Sequence, residues 1–416
     1  MKTLRGVRDV FPPEIRVWHK IENTARAIFE GYGFEEIRTP IIEHSELFNR
    51  SIGEYTDIVS KEMYTFPDRK GRMISLRPEG TASVIRAYIE HGLMPPTRLY
   101  YMGPMFRYER PQAGRQRQFY QMGVEAIGER DSLADAEIII MLNDLFKKLG
   151  LKKVKTVINS VGCGECRPVY EKELKAYFSE HISKMCSDCR QRYEHNVFRI
   201  MDCKNAQCRV FIKEAPLQTD FLCESCSAHY AQLKTYLTAA GVEFTEDPRL
   251  VRGLDYYTKT AFEIVSEDLG AQNAVAAGGR YDKLVEQLGG AATPAVGMAI
   301  GVERLAMLLS EVKAADAEDI NSKIAFISGT NTRVKALSIV RKLRNAGLTI
   351  ITFPDKTNFK AQFKLANRVH TRWALIFGED ELEKKVILLK DMETGVQTAY
   401  QEDDIEKEMK RRLENV

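Results

Sequence analysis

Phe119, Gln121, Gly123 and Glu125 alternate with Tyr120, Met122, Val124 and Ala126 in a single run. Side chains along a strand alternate faces, so the first four share one face and the second four the other. The second face is apolar and reads as core. The first sets an amide and a carboxylate around a glycine, which suits a polar ligand lying over the gap. An exposed strand face fits the same pattern. Arg107, Glu109, Arg110, Arg115 and Arg117 crowd the turn before this strand. Arginine forks match phosphate oxygens bidentately, although a solvated charged turn would look alike. Leu76-Arg77-Pro78-Glu79-Gly80-Thr81-Ala82 puts a carboxylate and a hydroxyl at a helix start. Gly301-Val302-Glu303-Arg304 puts an arginine in a first helical turn, where N–H groups and the dipole already favour anions. An arginine there opposes the dipole, which makes sense facing a polyanion; pairing with Glu303 or a neighbouring acid is the alternative.

A second constellation is separate. All eight cysteines fall between Cys163 and Cys226, as Cys163/Cys166, Cys186/Cys189, Cys203/Cys208 and Cys223/Cys226. Cytosolic thiols stay reduced, so paired short spacings read as metal or redox chemistry rather than disulfides. Zinc takes four thiolates delivered as two short-range pairs, and eight cysteines supply two such sites. The simplest pairing joins Cys163/Cys166 to Cys186/Cys189 and Cys203/Cys208 to Cys223/Cys226, with other pairings open. Reduced structural thiols or a redox role are the alternatives. His181, His195 and His229 lie in the same stretch and could substitute as ligands, although each reads first as a surface residue.

Several elements must position these groups. Val17 to Tyr32 has helical apolar spacing and Phe34 to Thr39 is extended. Thr81 to His91 reads as a helix, and Arg98 to Gly128 as two strands around a polar turn. Leu151 to Asn159 is strand-like, and the cysteine segment then interrupts an α/β pattern. The pattern resumes with a strand at Tyr256 to Val265, a glycine turn at Ala276 to Tyr281, and a strand at Ala295 to Ile300. Ala314 to Asn321 is a polar linker. Beyond it, strands and helices alternate over about 95 residues, the mark of a compact α/β domain.

The chain has 416 residues, a length for two or three domains. Its 61 Lys+Arg against 58 Asp+Glu exclude a globally basic coat protein. No apolar run reaches the roughly 18 residues of a transmembrane helix, and the charged start lacks a signal-peptide core. The expectation is a cytoplasmic protein without a membrane partner. From Ser322 onward there are 18 Lys+Arg and 13 Asp+Glu, so positive charge gathers in the last domain. Lys356, Lys360, Lys364, Arg368 and Arg372 recur every four residues, backed by Phe359, Phe363 and Ala366. On one helix, such like charges cost roughly 0.2–0.5 kcal/mol per pair. An RNA backbone would relieve that repulsion; a solvated lysine face is the alternative.

These residues resemble a known family. Phe106-Arg107-Tyr108-Glu109-Arg110 resembles motif 2 of class II aminoacyl-tRNA synthetases, Gly301 to Leu305 motif 3, and Gly33 to Pro40 motif 1. Arg252-Gly253-Leu254-Asp255-Tyr256-Tyr257 and Ala277-Gly278-Gly279-Arg280-Tyr281-Asp282 resemble the two signatures of histidyl-tRNA synthetases, bacterial type. The resemblance implies an α/β (α+β) architecture: an antiparallel-sheet catalytic domain over residues 1–320, interrupted by a Cys-rich helical insertion at 163–240. An α/β anticodon-binding domain over 322–416 would follow. It implies ATP-dependent attachment of L-histidine to tRNA(His) through histidyl-adenylate, with Mg²⁺, by a homodimer. Glu79 and Gln121 would hold the α-amino group, with Thr81 nearby. Glu125 and Tyr257 would bind the imidazole nitrogens, and Tyr256 and Tyr281 would complete the pocket. Arg107 would hold the α-phosphate, Arg115 and Arg304 the β- and γ-phosphates, and Glu109 would lie near the adenine. Arg252 would be a further catalytic arginine, and the Lys356–Arg368 stripe would face tRNA. The competing reading is a histidine-sensing regulatory subunit of ATP phosphoribosyltransferase, which typically lacks the intact arginine signature and the anticodon-binding domain.

Overall fold

The computed structural model describes residues 1–53, 56–269, 273–312 and 323–414, and divides into two compact units, Met1–Val312 and Lys313–Val416. The linker expected at Ala314 to Asn321 lies outside the described residues.

The first unit is built on an eight-stranded sheet. Its spatial order is Glu35–Glu36, Thr97–Phe106, Gln118–Ile127, Ala295–Gly301, Ala274–Arg280, Thr258–Ser266, Val154–Ser160 and Phe244–Glu246. Pairing is antiparallel except at the two edges, where Glu35–Glu36 and Phe244–Glu246 run parallel to their neighbours. The hairpin alternates as the sequence predicts: Met122, Val124 and Ala126 enter the main core. That core also receives Trp18, Ile21, Ala25 and Phe29 from the helix Glu14–Gly31, and Leu305, Leu308 and Leu309 from the helix Val302–Val312. The helix Ser132–Lys148 has no counterpart among the elements read from the sequence. Its capping is ordinary: the Asp131 side chain accepts from the Leu133 N–H at 2.8 Å, and Lys147 and Lys148 sit at the carbonyl end. Its apolar residues, however, wrap most of its circumference, which blurs the period that marks a surface helix.

Ala276 to Tyr281 is not a turn. Residues Ala274–Arg280 form a central strand. The glycines are there for closeness. A Cβ at Gly278 would lie 2.6 Å from Phe262 and 2.7 Å from the Met298 Cβ, and nearer still to the Gly297 carbonyl. Glycine inside a strand marks close approach as well as turns.

The cysteine-bearing region is helical, with Cys166–Ser179, Ser187–His195, Ala206–Glu214 and Glu224–Ala239. It has a small core of its own around Tyr170, Leu174, Phe178, Val197 and Ile200.

The second unit is a five-stranded sheet in the order Thr349–Thr352, Lys323–Ser328, Trp373–Phe377, Val386–Asp391 and Gln397–Gln401. The first three strands are parallel and the last two antiparallel. The helix carrying the basic stripe is Phe359–Arg368, opened by Asn358, whose side chain accepts from the Ala361 N–H at 3.1 Å. Lys356 therefore lies in the preceding turn, off the helix. Pro354-Asp355 and the Asn358 cap stop the helix from starting earlier. Lys360, Lys364 and Arg368 are exposed on it, while Ala366 is buried with Phe359 and Phe363 beside it. Among the described residues, no helix is long and apolar enough to cross a membrane.

Candidate active site

A cleft of about 640 Å³ opens on the face of the large sheet away from the main core. Arg107, Glu109 and Arg115 reach it from the end of the hairpin, and Gln121 from the hairpin strand. Glu79 and Thr81 reach it from the start of the helix Thr81–Glu90, Arg304 from the first turn of Val302–Val312, and Tyr281 from just past the glycine strand. Arg252, Tyr256 and Tyr257 come from the irregular segment before the strand Thr258–Ser266. Residues separated by more than two hundred positions thus face one space.

Glu125 is fully buried beneath the cleft, under Gly297. The Thr81 hydroxyl donates to its Oε1 at 2.7 Å, and the Tyr281 hydroxyl donates to Oε2. Burial pushes the Glu125 carboxyl up to about 8 despite those donors. Glu79 accepts from the N–H of Thr81 at 2.6 Å and of Ala82 at 2.8 Å, so it caps the helix it precedes. Burial raises its pKa too. Tyr101, Tyr256 and Tyr281 are held well above the ordinary phenol range, again by burial, so all three stay neutral donors. Tyr101 was not singled out from the sequence. Its phenol would clash with a Cβ at Gly80 or Gly123, the glycine that the strand pattern had marked as a gap. Among the described residues, the Tyr101 hydroxyl and the Gln121 Oε1 are buried without a hydrogen-bond partner, and both residues line the cleft. Buried polar atoms are normally paired, and unpaired ones mark functional sites.

The arginines are held by main-chain oxygens and acids. Arg107 Nε donates to the Pro78 carbonyl at 2.9 Å, and its ring-stacking partner is Phe119, 5.3 Å away. Arg115 pairs with Glu109 at 2.8 Å. Arg304 donates to the carbonyls of Ala274 at 2.6 Å and Gly114 at 3.2 Å. It does not pair with Glu303, which instead accepts from the Tyr120 N–H at 3.0 Å. Burial, with Arg115 beside it, lowers the Arg304 pKa. Arg252 pairs with Glu263, whose carboxylate also lines the cleft and was missed in the sequence because it is one acid in an apolar strand. Four guanidinium groups facing one space repel each other, and an anion in that space relieves them. The Lys356 to Arg368 stripe belongs to the second unit.

The cysteines assemble differently from the simplest expected pairing. Cys163, Cys166, Cys223 and Cys226 form one group, and Cys186, Cys189, Cys203 and Cys208 the other, with the sulfurs of each within 4.8 Å of one another. The first and last pairs stand at the starts of Cys166–Ser179 and Glu224–Ala239, whose first residues meet there, so the pairing is nested rather than sequential. Chain order fixes the pairs; the return of the last helix to the first decides their partners. Four sulfurs 2.3 Å from one zinc lie about 3.8 Å apart in a tetrahedron. Cys163 Sγ is 3.8 Å from both Cys166 and Cys223, and Cys186 Sγ is 3.8 Å from Cys203. His229 is not on the surface. Its Nε2 lies 3.3 Å from Asp135 and 3.2 Å from Thr260, beside the buried Arg280–Asp135 pair.

Comparison with known proteins agrees over nearly the whole length. A family model described as Histidyl-tRNA synthetase matches residues 6–166 and 181–305, and one described as Anticodon binding domain matches 322–412. The histidine–tRNA ligase of Caldanaerobacter subterraneus subsp. tengcongensis is 49% identical over 414 residues, covering 98% of this chain and 99% of that protein. That of Desulforamulus reducens is 48% identical over 398 residues, covering 94% and 95%. The crystal structure of apo histidyl-tRNA synthetase from S. aureus superposes with a TM-score of 0.82 at 37% identity, covering 99% of this chain and all of that one. With the cleft, the sheet and both matched regions in agreement, the chain belongs to the histidyl-tRNA synthetase family.

Proposed function

We propose that this cleft is where the chain carries out its ATP-dependent attachment of L-histidine to tRNA(His), by way of histidyl-adenylate. Arg107, Arg115, Arg252 and Arg304 converge on a single cleft floored by buried carboxyls, and that observation carries the reading. An attacking carboxylate and a triphosphate repel each other, so the site must align them and neutralise charge. Arg107 and Arg252 would act at the α-phosphate, Arg115 and Arg304 at the β- and γ-phosphates, with Glu109 near the adenine. Glu79, Gln121 and Thr81 would take the α-amino group; the unpartnered Gln121 Oε1 supports this. Glu125 and Tyr257 would read the imidazole, within walls made by Tyr256 and Tyr281. Mg²⁺ binds oxygen ligands, commonly one or two carboxylates plus phosphates. Glu263 and Glu109 line the cleft, so the donor set fits. The ion would add positive charge at the departing pyrophosphate.

A site that leaves buried polar groups unpaired with the wrong ligand can discriminate by about 10⁴-fold. Glu125→Ala is therefore expected to abolish histidine-dependent ATP–pyrophosphate exchange or its amino-acid selectivity. Exchange with histidine at the normal apparent affinity in that variant counts against the assignment. Charging of tRNA with a panel of amino acids tests the substrate directly. The sensor reading predicts histidine binding without exchange, and the C-terminal match to an anticodon-binding domain weighs against it.

The remaining readings follow the same logic. Residues 1–320 would form the catalytic domain, interrupted by the insertion at 163–240, with the anticodon-binding domain over 322–416. Lys360, Lys364 and Arg368, with Lys356 in the preceding turn, would meet the tRNA backbone. Each four-thiol group would hold one structural Zn²⁺, a role suited to the reduced thiols of a cytoplasmic protein. Fewer than one zinc per chain in protein purified without chelator would remove that idea. A homodimer is supported by Ile41, Ile42, Phe66 and Met73, which stay exposed on and beside the small sheet Ile42–His44, Thr65–Pro67 and Met73–Leu76. Light scattering at micromolar concentration tests it.

A further inference from the structure

The segment that carries Arg252, Tyr256 and Tyr257 is irregular from residue 251 to 257. No strand ladder or helix fixes it, so its position is set by whichever groups bond to it. The Asp255 N–H donates to the Ile52 carbonyl at 3.3 Å. The Arg252 side chain pairs with Glu263 on the following strand, and the remaining hydrogen bonds to the segment's main chain and to the Asp255 carboxylate come from the cysteine-rich insertion. Arg199 Nη1 donates to the Arg252 carbonyl at 3.2 Å, Asn196 Nδ2 to the Asp255 carboxylate at 3.0 Å, and Arg167 Nη1 to the Asp255 carbonyl at 3.2 Å. Arg199 is only 9% exposed, and a buried guanidinium must be paired. Its carboxylate is Asp57, 3.6 Å away, which also takes Arg192 at 3.3 Å, and Arg192 in turn donates to the Arg199 carbonyl. Arg199 packs closely on this turn: a Cβ at Gly253 would stand in ordinary contact with Arg199 Nη1, at 3.5 Å.

Arg192, Asn196 and Arg199 all lie between Cys189 and Cys203. Those two cysteines belong to the inner thiol group with Cys186 and Cys208, so both ends of the segment converge on one point. Arg192 and, at the far end, Asp202 line the cleft itself.

We propose that the inner four-thiol site is a clamp for catalysis: a zinc ion there fixes both ends of residues 190–202, and on that segment Arg199, through the Arg252 carbonyl, and Asn196, through the Asp255 carboxylate, position the Arg252 segment against the cleft. The proposal rests on the reading of Arg252 as a group acting at the α-phosphate and on zinc occupancy of the inner site. Asn196 and Arg199 are positioning residues; neither needs to touch a substrate. A misplacement of about 1 Å at a reacting group can cost on the order of 10²-fold in rate.

The test uses the full-length, zinc-loaded protein and histidine-dependent ATP–pyrophosphate exchange. Asn196→Ala and Arg199→Met are expected to lower kcat by about 10- to 100-fold, with KM for histidine nearly unchanged and zinc content at two per chain. In an Arg252→Ala background, followed by single-turnover measurement, neither substitution should cost anything further, because groups acting through one residue are not additive. Cys203→Ser should release one zinc, lower kcat by a similar factor and speed hydrogen exchange in residues 251–257. Full kcat in Asn196→Ala and Arg199→Met, full kcat with the inner site empty, or the same loss repeated in the Arg252→Ala background would each overturn the clamp. If Arg252→Ala itself leaves exchange intact, the reading of Arg252 fails and the clamp fails with it. An inactive Arg252→Ala beside fully active Asn196→Ala and Arg199→Met overturns the clamp alone.

Discussion

Gly297→Ala would add one methyl group at the floor of the cleft. Gly297 pairs directly with Glu125 across the strands Ala295–Gly301 and Gln118–Ile127. Its Cβ would fall 2.6 Å from the Val124 carbonyl oxygen and 2.8 Å from the Glu125 Cδ, with the Glu125 Oε2 nearer than either. Ordinary contact begins near 3.4 Å, so the carboxyl group must travel at least about half an ångström, given the dense packing of interiors. Val124 is main chain in the middle of a sheet and cannot yield cheaply. Glu125 is locked between Thr81 and Tyr281, so moving it breaks one of those bonds. Overpacking costs about 1–3 kcal/mol, and a disturbed hydrogen bond to a neutral carboxyl about 0.5–1.5 kcal/mol. If about 2–4 kcal/mol of this falls on histidine recognition, kcat/KM for histidine drops roughly 30- to 1,000-fold, at 1.4 kcal/mol per tenfold. The assay is histidine-dependent ATP–pyrophosphate exchange, with KM for ATP expected within about threefold of the parent, since the arginines are untouched. Gly31→Ala is the control, because nothing lies within 4 Å of a Cβ at that position. An unchanged kcat/KM for histidine in a folded Gly297→Ala protein would refute the placement of the imidazole over Glu125.

Acid should weaken histidine binding. With its folded pKa at about 8, Glu125 is mostly protonated at pH 7 in the empty cleft, and free imidazole titrates near 6.5. Between those values, neutral ring plus acid carries the same single proton as imidazolium plus carboxylate, so KM for histidine should be flat. Below about 6.5 both partners are protonated and binding must expel a proton, so KM should rise by up to about tenfold per pH unit; a flat KM from pH 7.5 to 5.5 contradicts this. Changing Lys360, Lys364 and Arg368 together to Glu should raise KM for tRNA at least tenfold and flatten the salt dependence of charging, while leaving pyrophosphate exchange as it was. Equal loss of both activities would point to misfolding of the second unit instead. Asp135→Asn removes the carboxylate that pairs with the fully buried Arg280 and should cost about 3–5 kcal/mol of stability; a loss of less than about 1 kcal/mol in denaturant unfolding would show that Asp282 and the carbonyls of Glu129 and Asp131 suffice.

Much of the first unit could be read from local pattern. The alternation from Phe119 to Ala126 separated core from cleft because a hairpin strand has one buried and one functional side. The helix Thr81–Glu90 was marked by its opening residues. Other parts resisted for physical reasons. Ser132–Lys148 is apolar nearly all round, so its period carries little signal. Gly278 and Gly279 looked like a turn because glycine serves turns and close strand packing equally. Lys356 looked helical by spacing, yet Pro354 and the Asn358 cap delay the helix past it.

The residues themselves determined which chemistry was available: guanidinium groups able to hold anions, phenols and carboxyls able to hydrogen-bond a polar ligand, and four pairs of thiols able to hold metal. These depend on residue type and short spacing, which the chain states directly. Tertiary structure decided which groups meet. It brought Arg280 to Asp135 across 145 positions, set Glu125 under Gly297 so that burial lifts its pKa, and joined the first cysteine pair to the last. Such meetings depend on how sheet register and helix packing close the chain on itself, and that information is spread over the whole core rather than written at any one position.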